Sequence, residues 1–213
     1  MSIEIRNHIV GPLQNNCYIL LDSENNEAVM FDPPLEVESI FPKLREKGIQ
    51  ITRIVITHAH FDHIGGVQAV LDYFDPAPLV YIHEKELPLW KAKGNADHFN
   101  IPIEMPEQPD ELLKDEPILS FGNIKLQTLF TPGHTQGHCT FYNAETESAF
   151  VGDVIFHRSI GRTDLPGGSF PTLIQSIQQK IFTLPPQTQL FCGHGRHTSV
   201  EEEMKFNPFL THD

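Results

Sequence analysis

Residues 57–63, Thr57-His58-Ala59-His60-Phe61-Asp62-His63, place four potential metal ligands within six positions of the chain. In an extended backbone His58 and His60 project to the same side, so both can reach one ion. Asp62 and His63 lie on the turn into the next helix-compatible stretch, point elsewhere and can reach a second ion. The alternative is a polar loop of solvated histidines, but four ligands in this spacing directly after an apolar strand are a poor match to it. The spacing therefore favours two adjacent metal ions over one.

Strand-like and helix-compatible runs alternate on both sides of this segment. Two β-rich halves, each with helices, suggest two sheets with helices outside. The Pro-rich, acidic stretch 102–109 is expected to be a surface loop that joins the halves of a single domain, 1–213. We expect strands at 17–21, 27–31, 53–57, 124–130, 139–142, 149–151 and 189–192. We expect helices at 37–47, 67–74 and 171–182, the last capped by Ser169 or Gly168.

Composition and charge argue against several classes of function. A formal net charge of −13 opposes the phosphate neutralisation that nucleic-acid binding requires, so we expect no nucleic-acid partner. No apolar run approaches the roughly 20 residues of a membrane span, and the first residues do not have a basic and then apolar leader pattern. Three cysteines without a C-x-x-C pair indicate neither a disulfide framework nor a thiolate zinc cluster. We therefore expect a cytoplasmic protein with no membrane partner.

Three further ligand candidates occur later in the chain, each directly after a glycine at the end of an apolar strand. Glycine allows a sharp turn there and a close approach of the backbone to an ion. Any one of the three could be an ordinary turn residue. Their recurrence after the H-x-H-x-D-H segment makes the set specific, and its members are His134, Asp153 and His194.

The order THAHFDH, TPGHT, GD and GH resembles the metallo-β-lactamase superfamily over most of the chain. The resemblance implies an α/β fold, the αββα sandwich, in which two mixed sheets pack face to face with helices outside. It also implies a two-metal site at one edge, between the sheets, with a ligand in every expected position. Metal 1 would be held by His58, His60 and His134, metal 2 by Asp62, His63 and His194, and Asp153 would bridge the two ions.

Within that superfamily the short glyoxalase II-like branch matches best, through residues 152–156 (GDVIF), 161–164 (GRTD) and 207–209 (NPF). This resemblance implies hydrolysis of a small anionic thioester, such as a hydroxyacylglutathione, by a hydroxide that bridges two divalent metal ions. Zinc is the first expectation, with iron or manganese as alternatives, because imidazole and carboxylate ligands suit all three. Full-length glyoxalase II enzymes carry an additional helical domain, which has no counterpart after His194 in these 213 residues.

Two residues receive specific roles in this hydrolase. Asp62 would accept a hydrogen bond from the attacking hydroxide and orient it. Arg162 occupies the place of a basic residue that binds a glutathione carboxylate, and an arginine fork suits a carboxylate. The alternative for Arg162 is an ion pair with Asp164 that braces the loop.

Two other functions remain open at this point. The first is a persulfide dioxygenase, a branch of the superfamily with one iron held by His58 or His60, His134 and Asp153. That branch has a similar GRTD segment, and oxygen consumption against thiol release would separate the two activities. The second is a non-catalytic binding protein on the same fold, although such a protein is expected to have lost ligands and this sequence retains all seven.

Overall fold

The computed structural model describes residues 3–210, and the chain divides into two compact units. The first unit comprises the residues up to Lys114 together with Ser120–Ile124, and the second comprises Asp115–Leu119 and the residues from Lys125 onward. The predicted single domain, 1–213, stays a prediction. Among the described residues, no helix has the length and apolar character that a membrane span requires.

The first unit contains a six-stranded mixed sheet. Its strands pair in chain order, antiparallel from the first to the third and parallel from the third to the sixth. The second strand is buried along its whole length, and its central five residues, 17–21, are an apolar run. The strands are β1 (Ile3–Val10), β2 (Asn15–Asp22), β3 (Glu27–Phe31), β4 (Arg53–Val55), β5 (Leu79–His83) and β6 (Glu111–Leu113).

Four short α-helices accompany this sheet: α1 (Phe41–Glu46), α2 (Phe61–Ile64), α3 (Val67–Tyr73) and α4 (Leu87–Lys91). Turns of 3-10 helix lie at Val37–Ile40 and Glu84–Glu86, and a further 3-10 segment, Lys93–Phe99, is kinked at Gly94 and Asn95. The helix predicted at 37–47 is therefore two elements, and α1 begins where Pro42 can occupy its first turn without loss of a hydrogen bond. Buried apolar side chains of strands and helices form one core, including Ile54, Leu44, Val67 and Trp90.

The second sheet also has six strands and pairs in the order β14-β13-β10-β9-β8-β7. The pairs β14–β13, β10–β9 and β9–β8 are antiparallel, and the pair β13–β10 is parallel. A small antiparallel hairpin, β11 with β12, follows β10. The strands are β7 (Ile118–Phe121), β8 (Ile124–Phe130), β9 (Cys139–Asn143), β10 (Ser148–Gly152), β11 (Ile155–Phe156), β12 (Ser159–Ile160), β13 (Gln189–Cys192) and β14 (Thr198–Ser199).

Two helices belong to the second unit: α5 (Phe170–Ser176), which continues as a π-helix over Ile177–Ile181, and α6 (Val200–Phe206). Ser169 caps α5, because its side chain accepts a hydrogen bond from the Thr172 backbone N–H. Of the two caps considered from the sequence, Ser169 and Gly168, the structure uses Ser169. Helix α6 was not predicted from the sequence. Both helices place apolar side chains in a second buried core, where Leu173 and Val200 are fully or almost fully covered.

The predicted α/β fold class is confirmed, since the described chain contains two mixed sheets and accompanying helices. Each of the seven predicted strands is present within one or two residues of its expected bounds. The stretch 102–109 has neither helix nor strand, as expected for a loop. Strands β1, β5, β6, β7, β11, β12 and β14 were not predicted.

Candidate metal centre

In the first unit, the four ligand candidates converge at the loop between β4 and α2. His58, His60 and His63 are buried. His60 has an extended backbone and directly precedes α2, and Asp62 and His63 lie within this short helix. The ring centroid of His58 lies 4.9 Å from that of His60 and 4.1 Å from that of His63. Nε2 of His63 lies 3.6 Å from Oδ2 of Asp62.

A buried carboxylate, Asp32, fixes the orientation of two of these rings. Its Oδ1 accepts a hydrogen bond from the Thr57 backbone N–H at 2.7 Å, and its Oδ2 accepts from Oγ1 of Thr57 at 2.6 Å. Nδ1 of His63 lies 3.1 Å from the same Oδ2 and donates to it. Because the single hydroxyl hydrogen of Thr57 goes to Asp32, its oxygen accepts from Nδ1 of His58 at 3.1 Å. His58 and His63 therefore both carry their ring proton on Nδ1 and present Nε2 as the metal-binding atom.

Asp32, His58 and His63 also place one donor atom each within 4.8 Å of one another, as a metal site would require. We assign Asp32 to the support of the ligands, because both of its oxygens accept hydrogen bonds and it faces the Nδ1 side of His63. The sequence prediction did not include Asp32. The signal that could have found it is a carboxylate at the end of an apolar strand, the same signal that identified Asp153.

Other residues of the first unit hold the ligand loop. Nδ2 of Asn15 donates to Oδ2 of Asp62 at 3.0 Å, and the buried Glu86 accepts from the Ala59 backbone N–H at 2.7 Å. Gly94 packs so closely that a Cβ there would lie 2.2 Å from the Phe61 nitrogen. The sequence prediction missed all three supports. Only Asn15, a polar residue at the start of a buried strand, had a local signal.

In the second unit, two of the three remaining ligand candidates, His134 and His194, lie close to the carboxylate of the third, Asp153. Oδ2 of Asp153 lies 3.8 Å from Nε2 of His134 and 3.6 Å from Nε2 of His194. Nδ1 of His134 lies 2.8 Å from the backbone carbonyl oxygen of Arg162 and donates to it. His134 therefore also presents Nε2 as its metal-binding atom, and the Arg162 backbone supplies an orienting contact that the sequence did not predict.

Two residues, His138 and Gly161, contact the backbone of Asp153. Its N–H donates to Nε2 of the fully buried His138 at 3.3 Å, and Nδ1 of His138 lies 3.1 Å from Oγ1 of Thr131. A Cβ at Gly161 would lie 1.8 Å from the Asp153 carbonyl oxygen, so only glycine fits there. The sequence prediction missed His138, although its place four residues after His134 was a signal of proximity.

The side chain of Arg162 forms a bidentate ion pair with Asp164, with both N···O distances at 2.8 Å. Both side chains are exposed. The hydrogen bond from Arg162 lowers the pKa of Asp164 to about 2. The brace considered from the sequence is thus present, and the substrate contact of Arg162 stays a prediction.

The cysteines contribute no donors of this kind. Cys17, Cys139 and Cys192 are all buried, and burial raises the pKa of the Cys17 and Cys192 thiols, which keeps them protonated. The donor set is therefore imidazole and carboxylate only, with three histidines and one aspartate in the first unit and two histidines and one aspartate in the second. Such a set fits divalent first-row metal ions, including zinc, iron and manganese.

Comparison with known proteins defines the class. The profile of the metallo-β-lactamase superfamily matches residues 10–194, which include every ligand candidate. The chain belongs to this superfamily of metal-dependent hydrolases, for which a dinuclear metal site is typical. The family predicted from the motifs is thereby confirmed.

Two relatives match over almost their whole length. The probable metallo-hydrolase YqgX of Bacillus subtilis (strain 168) is 40% identical over 203 residues, which cover 94% of each chain. The hydroxyacylglutathione hydrolase GloC of Haemophilus influenzae is 34% identical over 212 residues, which cover 99% of this chain and 98% of that protein.

Two crystal structures are similarly close. The B3 metallo-β-lactamase BLEG-1 has a TM-score of 0.91 and 39% identity, with 98% of this chain and 100% of that chain covered. TTHA1623, solved in a di-iron-bound form, has a TM-score of 0.87 and 36% identity, with 96% of this chain and 100% of that chain covered.

Proposed function

We propose that this protein hydrolyses a small anionic thioester, of which a hydroxyacylglutathione is the best candidate, with two divalent metal ions and no nucleic-acid or membrane partner. The observation that carries the proposal is the match to GloC, because that hydroxyacylglutathione hydrolase has practically the same length as this chain. The residues aligned here cover 98% of GloC, so they span nearly all of a protein that carries the name of this activity. We place the reaction in the cytoplasm, where buried thiols stay reduced.

The seven candidates would hold the ions as the motifs predict: His58, His60 and His134 one ion, Asp62, His63 and His194 the other, and Asp153 both. When bound, the ions supply a water that ionises near neutral pH and positive charge opposite the developing carbonyl oxygen. Zinc is our first assignment, and the di-iron form of TTHA1623 makes iron the first alternative.

Within the first unit, the residues have separate tasks. Asp62 orients the attacking water, and Asn15 holds the Oδ2 of that carboxylate by donating to it. Asp32 keeps His58 and His63 in the tautomers that present Nε2. The protein's main contribution is thus preorganisation of a fixed charge distribution around the carbonyl carbon.

The leaving group favours a thioester over an amide. A thiol with a pKa near 8.5 leaves as thiolate with little need for a proton, whereas an amine needs a general acid. The motifs do not provide an obvious general acid. β-Lactam hydrolysis is nevertheless the second candidate, because BLEG-1 is a B3 metallo-β-lactamase.

Arg162 is our candidate for recognition of the substrate's carboxylate. In the structure its guanidinium fork already holds the carboxylate of Asp164 with two parallel hydrogen bonds. Because both groups are exposed to water, this ion pair is weak and a substrate carboxylate could replace Asp164.

The test is a metal-content measurement combined with activity assays on the same preparation. We expect about two divalent ions per chain and thiol release from a hydroxyacylglutathione with kcat/KM of about 10⁴ M⁻¹s⁻¹ or more. Arg162→Gln should raise KM for this substrate and leave KM for an uncharged thioester unchanged. Asp164→Asn is the matched control, because it releases the Arg162 side chain and should not raise KM.

Three outcomes would contradict the proposal. Faster turnover of a β-lactam than of the thioester would support the second candidate. Oxygen consumption with glutathione persulfide, at one iron per chain, would support the dioxygenase. Two bound metal ions without any of these activities would support a binding protein.

A further inference from the structure

Helix α6 contains a fully buried carboxylate that the proposed reaction does not use. Glu203 has no exposed side-chain surface, whereas Glu201 beside it on the helix is exposed. A buried carboxylate is costly unless its oxygens accept well-placed hydrogen bonds. The surroundings of Glu203 meet this condition.

Both oxygens of Glu203 accept hydrogen bonds. Oε1 accepts from Oγ1 of Thr198 at 2.5 Å and lies 3.5 Å from Nδ1 of His157. Oε2 accepts from the Arg158 backbone N–H at 2.9 Å and from Nδ2 of Asn207 at 2.7 Å. The carboxylate therefore joins Arg158, 45 positions earlier in the chain, to the residues on either side of Glu203 at Thr198 and Asn207.

Two of these residues lie in the segments that follow metal-ligand candidates. Arg158 lies in the β11–β12 hairpin, five residues after Asp153, and Thr198 lies four residues after His194. Asn207, which belongs to the NPF motif, strengthens the connection because its Nδ2 also donates to the carbonyl oxygen of Ser159 at 3.0 Å. The last helix and this motif thus hold the hairpin and the segment after His194 against one buried charge.

We propose that Glu203 is a positioning residue of the metal centre. Through Arg158 and Thr198 it fixes the segments that follow Asp153 and His194, and so sets how strongly the ligands of the second unit bind metal. This inference rests on the metal centre of the proposed function, but it does not depend on the identity of the substrate.

The hydrogen-bond pattern shows what the substitution of Glu203 by glutamine would change. Both groups that donate to Oε2 are N–H groups, which cannot act as acceptors. In Glu203→Gln the amide oxygen must take that position, and the amide nitrogen then faces the Thr198 hydroxyl and His157. The size of the side chain is nearly unchanged, but the negative charge is lost and the Thr198 hydroxyl must accept a hydrogen bond where it donates one in the parent.

The experiment measures cobalt(II) binding to the metal-free full-length protein, by visible absorption and by competition with a chelator. We expect Glu203→Gln to weaken cobalt binding by about 10–100-fold, most strongly for the ion that His194 and Asp153 would share, and to change the absorption bands; this is the size of effect seen when a partner of a ligand is removed. Glu202→Gln is the matched control, because Glu202 directly precedes Glu203 in α6 and its side chain accepts from the exposed Arg158 guanidinium, not from the Arg158 backbone. It should bind both equivalents like the parent.

A loss of stability alone would overturn the proposal. In that case the metal-free Glu203→Gln variant would unfold more easily than the parent but would bind both cobalt ions with parental affinity, which would show a purely structural role. If Glu203→Gln does not fold, Thr198→Val decides, with Thr198→Ser as the variant that should restore binding. Parental affinity in Thr198→Val would then refute the inference. A parent that binds two cobalt ions but cleaves no thioester contradicts the proposed function and leaves this inference standing.

Discussion

Replacing Asp32 by asparagine should empty part of the metal centre without unfolding the protein. Oδ1 of Asp32 accepts from a backbone N–H, so the asparagine oxygen must take that position. Its amide group then replaces Oδ2 and donates toward Nδ1 of His63, which lies 3.1 Å from Oδ2 in the parent. His63 must accept there and carry its proton on Nε2, where it can no longer bind metal.

The magnitude follows from the bonds that change. Two hydrogen bonds to the charged Oδ2, from Thr57 and His63, are lost or reversed, while the bond to Oδ1 survives. With about 1.5–3 kcal/mol for a hydrogen bond to a charged group, and partial compensation by the amide, the metal-free protein should lose about 2–4 kcal/mol. That is less than the roughly 5–15 kcal/mol of a typical domain, so the fold should survive. Affinity for the metal ion bound by His63 should fall by about 10–100-fold.

The assay pairs urea unfolding of the metal-free protein with metal titration against a chelator. Asp22→Asn is the matched control, because Asp22 is also buried and also accepts backbone N–H groups, from Glu24 and Asn123. Its substitution should lower stability but leave metal affinity unchanged. Parental affinity for both metal ions in Asp32→Asn, or an equal loss in Asp22→Asn, would refute the tautomer argument.

Three further predictions concern the charged residues. Asp62→Asn should lower kcat for a glutathione thioester by about 10²-fold with little change in KM, measured as thiol release beside metal content, and full activity at normal metal content would exclude Asp62 from the mechanism. Asp153→Ala should lower the occupancy of both metal ions, whereas His63→Ala should empty mainly one; equal losses would contradict the bridging role. Burial alone would raise the pKa of Asp22, but hydrogen bonds from Asn123 and Asn25 hold it below its ordinary value. The contribution of the Asp22 carboxylate to stability is therefore present above about pH 4 and is lost as pH falls through its folded-state pKa. In the metal-free protein, Asp22→Asn should therefore make the unfolding free energy depend less on pH below about pH 4.

The ligand candidates could be predicted because each has a local signature. His58 and His60 follow a β-branched strand in a two-residue spacing, and Asp153 follows β10 directly after a glycine. Buried strands such as β2 and β3 were predicted for the same reason, since their apolar runs are continuous. Strand β1 has an only partly buried pattern with several polar residues, which no local signature separates from a loop.

The supports of the ligands could not be predicted, because their partners lie far away in the chain. Asp32 and His63 are 31 positions apart, and Asn15 and Asp62 are 47 positions apart. The connection of Glu203 to Arg158 spans 45 positions. Such pairs depend on which strands and helices become neighbours, and a single sequence contains the elements but not their pairing.

The chemistry of the supports adds a second obstacle. Three ligand histidines are oriented through Nδ1, yet each uses a different acceptor: a carboxylate for His63, a hydroxyl for His58 and a backbone carbonyl for His134. Any acceptor at hydrogen-bond distance selects the same tautomer, so the requirement leaves no common residue type in the sequence. A metal ion, in contrast, binds only a few types of donor group, and this restriction allows the ligands to be recognised in the sequence. Sequence therefore predicts the metal ligands, because only a few residue types can bind the ion. The groups that orient those ligands can be of many types, and the fold decides which of them are used.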